Sequence, residues 1–404
     1  MAVELLSRNG GTRSPQARGV ALCRLARISE DKGNRDAAEA YYREALEVDF
    51  RNYAFPGLVQ GRYLNPKSDQ ALIEQAIVHA SILSPAQEQI NFALGQVFDS
   101  AQDYDLAFEM FERGNALARL RLGPFDMAKH VAQVEARVRV FSSAFFRQVG
   151  AAASSSRFRI FIAGMPRSGT TLTEQVLSAH STVAAGGELT DIASWSDYST
   201  RWGGTRQRYP ECLQRVDPAV LQTLSLSMAS TARAIAFKAG KSRLVTKLPH
   251  DIFDLGLISL LFPNSPVIHI RRNPLDVALS CYMQGFQSLK WATSFESITT
   301  MLRSYRRIVR HWSSVLSPES VYELKYESLV ESPESEISNI LDYLNLKSES
   351  PCFRSHLQHR PITTPSRWQV RQPINTDSVG RWKHYRDAIG PALPHLKEFY
   401  EDYS

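Results

Sequence analysis

A short apolar segment that runs directly into a glycine-bounded loop constrains the fold more than any other feature. The run FRIFIA, residues 158–163, is followed by GMPRSGTTL, residues 164–172, in which Gly164 and Gly169 enclose four residues. An apolar strand, a G-x-x-x-x-G loop and a hydroxyl residue that opens a helix resemble a nucleotide-binding phosphate loop. A Walker A loop places a lysine after its second glycine, but Thr170 stands there in this chain. The pattern therefore predicts a strand, a loop and a helix that bind an anion without that lysine.

Further along the chain, short apolar strands continue to alternate with helices. RLVTK, residues 243–247, precedes the helical pattern DIFDLGLISLLF, and PVIHIRR precedes another helix. This alternation is typical of a parallel sheet with helices on its faces. Ligands of such sheets bind at the carboxyl ends of the strands. We therefore expect the loops after Ala163, Val245 and Ile270 to converge on one site.

The first part of the chain has a different period. Residues 18–149 are rich in Ala, Leu, Glu, Gln and Arg at helical spacing, which predicts an all-α region. A unit of the form small-x3-aromatic-x2-small occurs at Ala38, Tyr42 and Ala45 and again at Ala107, Phe111 and Gly114. The two copies are 69 positions apart, about twice the 34-residue period of a tetratricopeptide (TPR) repeat. We expect TPR-like repeats with a degenerate copy over residues 54–87, and two unrelated amphipathic hairpins remain the alternative.

Composition sets the domain boundaries and the class of protein. We predict a flexible tail over residues 1–17, the repeats over 18–149, a linker over 150–156 (GAAASSS) and an α/β domain over 157–404. Four cysteines without paired spacing fit a reducing compartment. The apolar runs are shorter than the roughly 20 residues that span a bilayer, and the N-terminus lacks a secretory pattern. We therefore expect a cytoplasmic protein without a membrane span.

Charged residues at two strand ends indicate an anionic ligand. The formal net charge of +6 is mild and does not indicate a nucleic-acid partner. Arg167 lies inside the glycine-bounded loop, and its guanidinium can hold a phosphate or sulfate in a bidentate manner. Arg272 follows the strand VIHI, and Ser280 stands eight residues later on the next helix. Two such sites predict a ligand with phosphate groups at both ends, whereas a ligand-free turn, a surface arginine and a helix serine are the plainer alternatives.

Two enzyme classes fit these residues poorly. PVIHIRR carries no aspartate at the strand end, and together with the missing lysine this disfavours a metal-dependent kinase or NTPase. A serine esterase requires G-x-S-x-G, but Pro166 and Thr170 occupy the flanking positions around Ser168.

The combination of motifs resembles the sulfotransferase family. GMPRSGTTL, the strand-terminal arginine with its serine, and SVGRWKHY are similar to the bacterial TPR-containing branch, which is itself similar to tyrosylprotein sulfotransferases; the resemblance runs from about Phe158 to Tyr385. It implies a P-loop-like α/β sulfotransferase domain preceded by an all-α TPR-like domain. It also implies 3′-phosphoadenosine 5′-phosphosulfate (PAPS) as co-substrate, without a metal.

The resemblance assigns roles to individual residues. It implies that the 5′-phosphosulfate is bound by Arg167, Ser168, Gly169, Thr170 and Thr171. It implies that Arg272 and Ser280 bind the 3′-phosphate. Arg381 in GRW occupies the position at which tyrosylprotein enzymes carry a lysine near this phosphate. Tyr326 matches a tyrosine near the adenine or its phosphate, although core packing explains it equally well.

The same resemblance implies the catalytic residues. Glu188 in AAGGELTDI corresponds to the general base, and Lys247 in LVTKLPHD to the lysine that stabilises the leaving oxygen. Ser366 corresponds to a serine that contacts the transition state. Arg167 is also counted among the catalytic residues. Asp191 is an alternative base. His250 and His269 are candidates if the chain follows the small-molecule branch, although a core position suits His269 better.

These residues lead to one main functional hypothesis. We predict a metal-free sulfotransferase that transfers a sulfuryl group from PAPS to a hydroxyl of a tyrosyl peptide, a glycan or a small phenol or alcohol. The TPR-like repeats add a possible protein or peptide partner. The alternative is a TPR-type interaction protein with a catalytically degenerate nucleotide-binding domain.

Overall fold

Packing divides the chain into two units that do not follow the chain order. The computed structural model describes residues 14–149, 157–202, 208–358 and 369–399. The first unit runs to Phe125 and adds Ala278–Ile298 and Arg381–Glu398, and the second takes Asp126–Val277, Thr299–Gly380 and Phe399. The proposed linker over residues 150–156 lies outside the described residues, and the domain boundaries given above stay a prediction.

The first unit consists of helices joined by short turns. Its N-terminal helices are α1 (Pro15–Asp31), α2 (Arg35–Val48), α3 (Ala54–Gln60), α4 (Gln70–His79), α5 (Gln87–Ser100) and α6 (Tyr104–Leu122). The side chains of Ser14, Asn34 and Asp103 accept a backbone N–H in the first turns of α1, α2 and α6, respectively. Such N-caps fix where each helix begins, because they satisfy amides that have no partner within the helix.

Small residues and aromatic rings interlock between the helices, as the repeated pattern predicts. Ala38, Ala45 and Ala107 are fully buried. A Cβ added to Gly57 would lie 2.3 Å from the ring of Tyr42, and one added to Gly95 would lie 2.4 Å from the ring of Phe111. The second helix of each repeated unit therefore fits its aromatic ring against a glycine of a neighbouring helix. The segment expected to hold a degenerate copy contains α3 and α4.

A five-stranded parallel sheet forms the centre of the second unit. Its strands are β1 (Arg159–Gly164), β2 (Val183–Ala185), β3 (Arg243–Lys247), β4 (Val267–Arg271) and β5 (Val321–Lys325). They lie in the order β2-β3-β1-β4-β5, and every neighbouring pair is parallel. The three strands expected from the sequence, β1, β3 and β4, are therefore adjacent, and the expectation of a parallel sheet is confirmed.

Helices cover both faces of this sheet. The helices that follow Asp126 in the chain, of which the last belongs to the first unit, are α7 (Met127–Val140), α8 (Ser143–Val149), α9 (Thr170–Ser178), α10 (Asp191–Trp202), α11 (Pro218–Lys238), α12 (Leu255–Leu261), α13 (Pro274–Tyr282), α14 (Phe295–Val315), α15 (Tyr326–Glu331), α16 (Pro333–Tyr343), α17 (Ser350–Phe353) and α18 (Leu393–Leu396). None of the helices in the described ranges combines the length and apolar character needed to cross a bilayer.

Alternate residues of the strands face different helices. Ile160, Ile162 and Ile268 pack in one core with α9 and α16. On the other face, Leu244 packs against Ala232 and Ala236 of α11. Since both faces are covered, the polar chemistry of this unit is confined to the ends of the strands.

The close approach of Gly95 to Phe111 predicts the effect of a single methyl group. Gly95→Ala forces the buried Phe111 ring to move, and overpacking of this kind typically costs about 1–3 kcal/mol. The gain from removing a helical glycine, about 1 kcal/mol, offsets part of this. We expect a lower free energy of unfolding, measured by chemical denaturation. Gly390→Ala is the control, because no atom lies within 4 Å of its added Cβ; equal losses in both variants would contradict tight packing at Gly95.

Candidate active site

The loop between β1 and α9, residues 165–169, has the backbone of an anion-binding turn and is called the anion loop below. Arg167 has φ +69° and Gly169 has φ +106°. Gly169 is the N-cap of α9 and provides no side-chain hydrogen bond to its first turn. A Cβ at Gly169 would lie 2.6 Å from Cδ2 of Tyr326, so a larger residue does not fit. Because no side chain caps the first turn of α9, the positive end of this helix faces the loop.

Two buried donors near this loop lack partners. Within the described residues, neither Ser168 Oγ nor Arg272 Nε has a hydrogen-bond partner, and Ser168 is 1% exposed. A buried polar atom without a partner costs free energy, so such atoms usually mark a site for a ligand or water. Phosphate and sulfate oxygens accept hydrogen bonds from a hydroxyl and a guanidinium. The donor groups of this loop therefore fit an anionic nucleotide end such as that of PAPS.

Arg272 ties the anion loop to a distant segment. Its Nη1 donates to the carbonyl oxygen of Arg167 at 2.6 Å, and its Nη2 donates to the carbonyl oxygen of Ser378 at 2.5 Å. The N–H of Gly380, two residues further, donates to Asp276 Oδ2 at 2.7 Å. The structure thus brings together the two arginine-bearing loops that the sequence placed at neighbouring strand ends.

The Tyr326 ring lies between these two elements. The side chain is buried, it limits the space at Gly169, and the guanidinium carbon of Arg272 lies 4.5 Å from the ring centroid. A cation above an aromatic face is attracted by the ring electrons. The ring therefore packs against both the anion loop and Arg272, which favours the packing interpretation without excluding contact with a nucleotide.

A lysine and a glutamate face each other at the ends of β3 and β2. Lys247 Nζ donates to Glu188 Oε1 at 2.5 Å. The lysine side chain is 1% exposed and the glutamate side chain 48% exposed. A buried ammonium needs an anionic or polar partner, and Glu188 provides it while remaining accessible from outside. Since β3 pairs directly with β1, this ion pair and the anion loop lie at the same edge of the sheet.

Asp191 has a different partner. Arg159 donates to both of its carboxylate oxygens, from Nη1 at 2.5 Å and from Nη2 at 2.9 Å. Arg159 is 2% exposed, and its guanidinium carbon lies 4.4 Å from the centroid of the Phe161 ring. The bidentate contact neutralises a buried arginine at the start of β1. This position disfavours the alternative interpretation of Asp191 as a general base.

Burial lowers the pKa of both histidines that were considered as candidates from the sequence. His269 lies in the core of β4, and its Nε2 shares a 2.6 Å hydrogen bond with Tyr305 Oη. Burial lowers the pKa of His269 to about 3, so its imidazole is neutral at pH 7. Burial also lowers the pKa of His250, whereas burial raises the pKa of the neighbouring Asp251 well above its ordinary value. His269 is therefore a core histidine with a satisfied ring nitrogen.

The remaining residues from the sequence are placed as follows. Thr170 and Thr171 are buried in the first turn of α9, and Ser280 is partly buried on α13. Arg381 forms an ion pair with Asp99 of the first unit, and Tyr385 donates to the same carboxylate at 2.6 Å. Ser366 lies outside the described residues.

Sequence reasoning missed three residues around this edge. Arg159 and Ser378 are described above, and Glu174 on α9 accepts the N–H of Gly187 at 2.9 Å. A carboxylate within TLTEQVLS, a helix with largely buried side chains, was the available signal for Glu174. Ser378 acts through its backbone, so its side-chain identity carried no signal.

Comparison with known proteins finds two families in the chain. Residues 159–350 match the sulfotransferase family, and residues 20–52 match the tetratricopeptide repeat. An uncharacterized protein of Aquifex aeolicus (strain VF5) is 32% identical over 335 residues, which are 81% of this chain; the chain spans 44% of the length of that relative.

Two further proteins are similar to parts of this chain. A putative protein-tyrosine sulfotransferase of Caenorhabditis briggsae is 27% identical over 234 residues, 55% of this chain and 80% of that protein. The sulfotransferase domain from the Synechococcus PCC 7002 olefin synthase aligns with a TM-score of 0.43 and 20% identity, covering 57% of this chain and 90% of that domain. The family matches confirm the resemblance drawn from the sequence: residues 159–350, in the α/β part of the chain, match the sulfotransferase family, and residues 20–52 ahead of them match the TPR repeat.

Proposed function

We propose that this protein transfers a sulfuryl group from PAPS to a hydroxyl acceptor, with Glu188 as the general base. The observation that carries the proposal is the contact between the buried Lys247 ammonium and the half-exposed Glu188 carboxylate, beside the anion loop. A base accessible to an acceptor and a cation held below it are two of the groups that sulfuryl transfer requires.

In this proposal the anion loop holds the 5′ end of the donor. Arg167, Ser168, Gly169, Thr170 and Thr171 bind the 5′-phosphosulfate. This is supported by the Ser168 hydroxyl, which has no hydrogen-bond partner among the described residues, and by the start of α9, which has no side-chain cap. Arg272 and Ser280 bind the 3′-phosphate, and the buried Arg272 Nε supports its share of that role. The contributions of Ser366, Tyr326 and Arg381 rest on the family resemblance.

PAPS supplies a sulfuryl group on a phosphate that leaves readily. Glu188 accepts the proton of the acceptor hydroxyl as its oxygen attacks sulfur in line with the bond that breaks. Lys247 and Arg167 stabilise the negative charge that collects on the leaving oxygen and the sulfuryl group. These roles need no metal.

The acceptor carries a hydroxyl group, and the similarity to protein-tyrosine sulfotransferases makes tyrosyl peptides the first to test. Glycans and small phenols need the same base and the same cation. The TPR-matching helices provide a surface for a protein or peptide partner.

A direct assay tests the proposal. We expect the purified protein to transfer label from PAPS to at least one of a set of hydroxylated peptides, glycans and phenols, with EDTA present. We also expect calorimetry to detect binding of adenosine 3′,5′-bisphosphate. A protein that binds neither PAPS nor the bisphosphate is not this enzyme, and one that binds without turnover fits the degenerate interaction module instead.

Replacement of the proposed base separates catalysis from binding. Glu188→Gln keeps an oxygen for Lys247 but cannot take a proton, so we expect kcat to fall by about 10²–10⁴-fold. The dissociation constant of adenosine 3′,5′-bisphosphate should stay the same. Glu323→Gln is the control, because it also removes a carboxylate from an ion pair at a strand end. Its partner there is the Arg271 guanidinium, at 2.8 Å. Full turnover by Glu188→Gln would contradict the proposal.

The role of Arg272 can be isolated by comparing two ligands. A hydrogen bond to a charged group contributes about 1.5–3 kcal/mol, so Arg272→Lys should weaken adenosine 3′,5′-bisphosphate binding by about tenfold or more. Adenosine 5′-phosphate, which lacks the 3′-phosphate, should lose much less affinity, as measured by calorimetry. Arg271→Lys, one residue earlier, is the control. Equal losses for both ligands would show that Arg272 only ties the backbone segments together.

A further inference from the structure

We propose that Glu174 is a positioning residue that holds the turn before Glu188 in place. This inference rests on the proposed role of Glu188 as the base. It concerns a side chain that acts through the backbone of Gly187.

The Glu174 side chain is buried and makes a hydrogen bond of ordinary length. The residue lies in the second turn of α9 and is 2% exposed. Its Oε1 accepts the N–H of Gly187 at 2.9 Å. A carboxylate that accepts a backbone N–H makes a charge-assisted bond, which is stronger than one between neutral groups. Packing alone does not call for a carboxylate at a buried helix position, since an apolar side chain fills such a space without a desolvation cost.

The other side of the same turn is fixed to β3. The carbonyl oxygen of Gly187 accepts the N–H of Lys247 at 2.9 Å, and the N–H of Gly186 donates to the carbonyl oxygen of Val245 at 2.7 Å. Glu174 therefore joins one side of this turn to α9, while β3 binds the other side. Removal of its acceptor leaves the N–H of Gly187 without this partner.

This arrangement couples two parts of the proposed site. Helix α9 begins at the anion loop, and the turn carries Glu188, so Glu174 sets the distance between the donor-binding loop and the base. Displacement of a reacting group by about 1 Å can cost about 100-fold in rate. The acceptor oxygen of Glu174 should consequently matter for kcat and not for binding of the donor product.

Two substitutions at this position test the role of the acceptor. Glu174→Met keeps an unbranched side chain of similar reach without the oxygen, and Glu174→Gln keeps an amide oxygen that can accept the same bond. The control is Gln175→Met on the same helix, which removes a 3.0 Å hydrogen bond from Gln175 Nε2 to the carbonyl oxygen of Ser355. Each variant is measured for kcat, KM, binding of adenosine 3′,5′-bisphosphate and thermal unfolding.

We expect Glu174→Met to lower kcat by about 10- to 100-fold with unchanged bisphosphate affinity. Glu174→Gln should restore most of kcat, and Gln175→Met should lose stability without losing kcat. Wild-type kcat in Glu174→Met overturns the inference. An equal loss of kcat in Glu174→Gln and Glu174→Met also overturns it, as does an equal loss in Gln175→Met.

A second measurement does not depend on turnover. Hydrogen exchange of the Gly187 amide, followed by NMR on protein labelled with ¹⁵N-glycine, should be slow in the wild type and in Glu174→Gln and faster in Glu174→Met. If Glu188→Gln retains turnover while Gly187 is protected as expected, the proposed base is wrong and the Glu174 contact stands. If the Gly187 amide exchanges rapidly in the wild type, the inference about Glu174 fails whatever the base.

Discussion

Parallel pairing of β1 with both β3 and β4 is the constraint on which the site depends. A parallel strand places its carboxyl end at the same edge as its neighbours, so the anion loop after β1 lies between Lys247 at the end of β3 and Arg272 after β4. Because helices cover both faces of the sheet, the polar groups of the site lie at the carboxyl ends of the strands around β1.

Two buried cations hold the segment after β2 against this sheet. Lys247 and Arg159 project from the central strands β3 and β1, and each is almost completely buried. Their carboxylate partners, Glu188 and Asp191, lie three residues apart at the start of the same segment. A buried cation without a partner is costly, so both ion pairs favour one position of this segment. The first carboxylate remains accessible, whereas both oxygens of the second bind Arg159.

The sequence predicted the parts of the fold that depend on local pattern. The strands β1, β3 and β4, the helix after the glycine-bounded loop and the burial of Ala38 and Tyr42 all follow from apolar runs and small residues with fixed spacing. The TPR and sulfotransferase matches confirm the fold class built from them. The assignments of the individual site residues stay predictions.

What the sequence could not predict depends on partners far apart in the chain. Glu174 has a role only because β2 places Gly187 beside α9, and Ser378 contributes a carbonyl oxygen that every residue carries. The strands β2 and β5 were not expected, because β2 has only three residues and β5 (VYELK) contains charged residues among its apolar ones and so lacks a continuous apolar run. Arg381 has Asp99 as its partner, and no spacing in the sequence relates those two positions.

The two bonds of Arg272 bear on how the protein is made. They join residues that are 105 and 106 positions away from it, on opposite sides in the chain. During synthesis, the segment around Arg167 emerges from the ribosome well before Ser378. All five strands, the last of which ends at Lys325, can therefore pair before the hydrogen bond from Arg272 to the carbonyl oxygen of Ser378 forms.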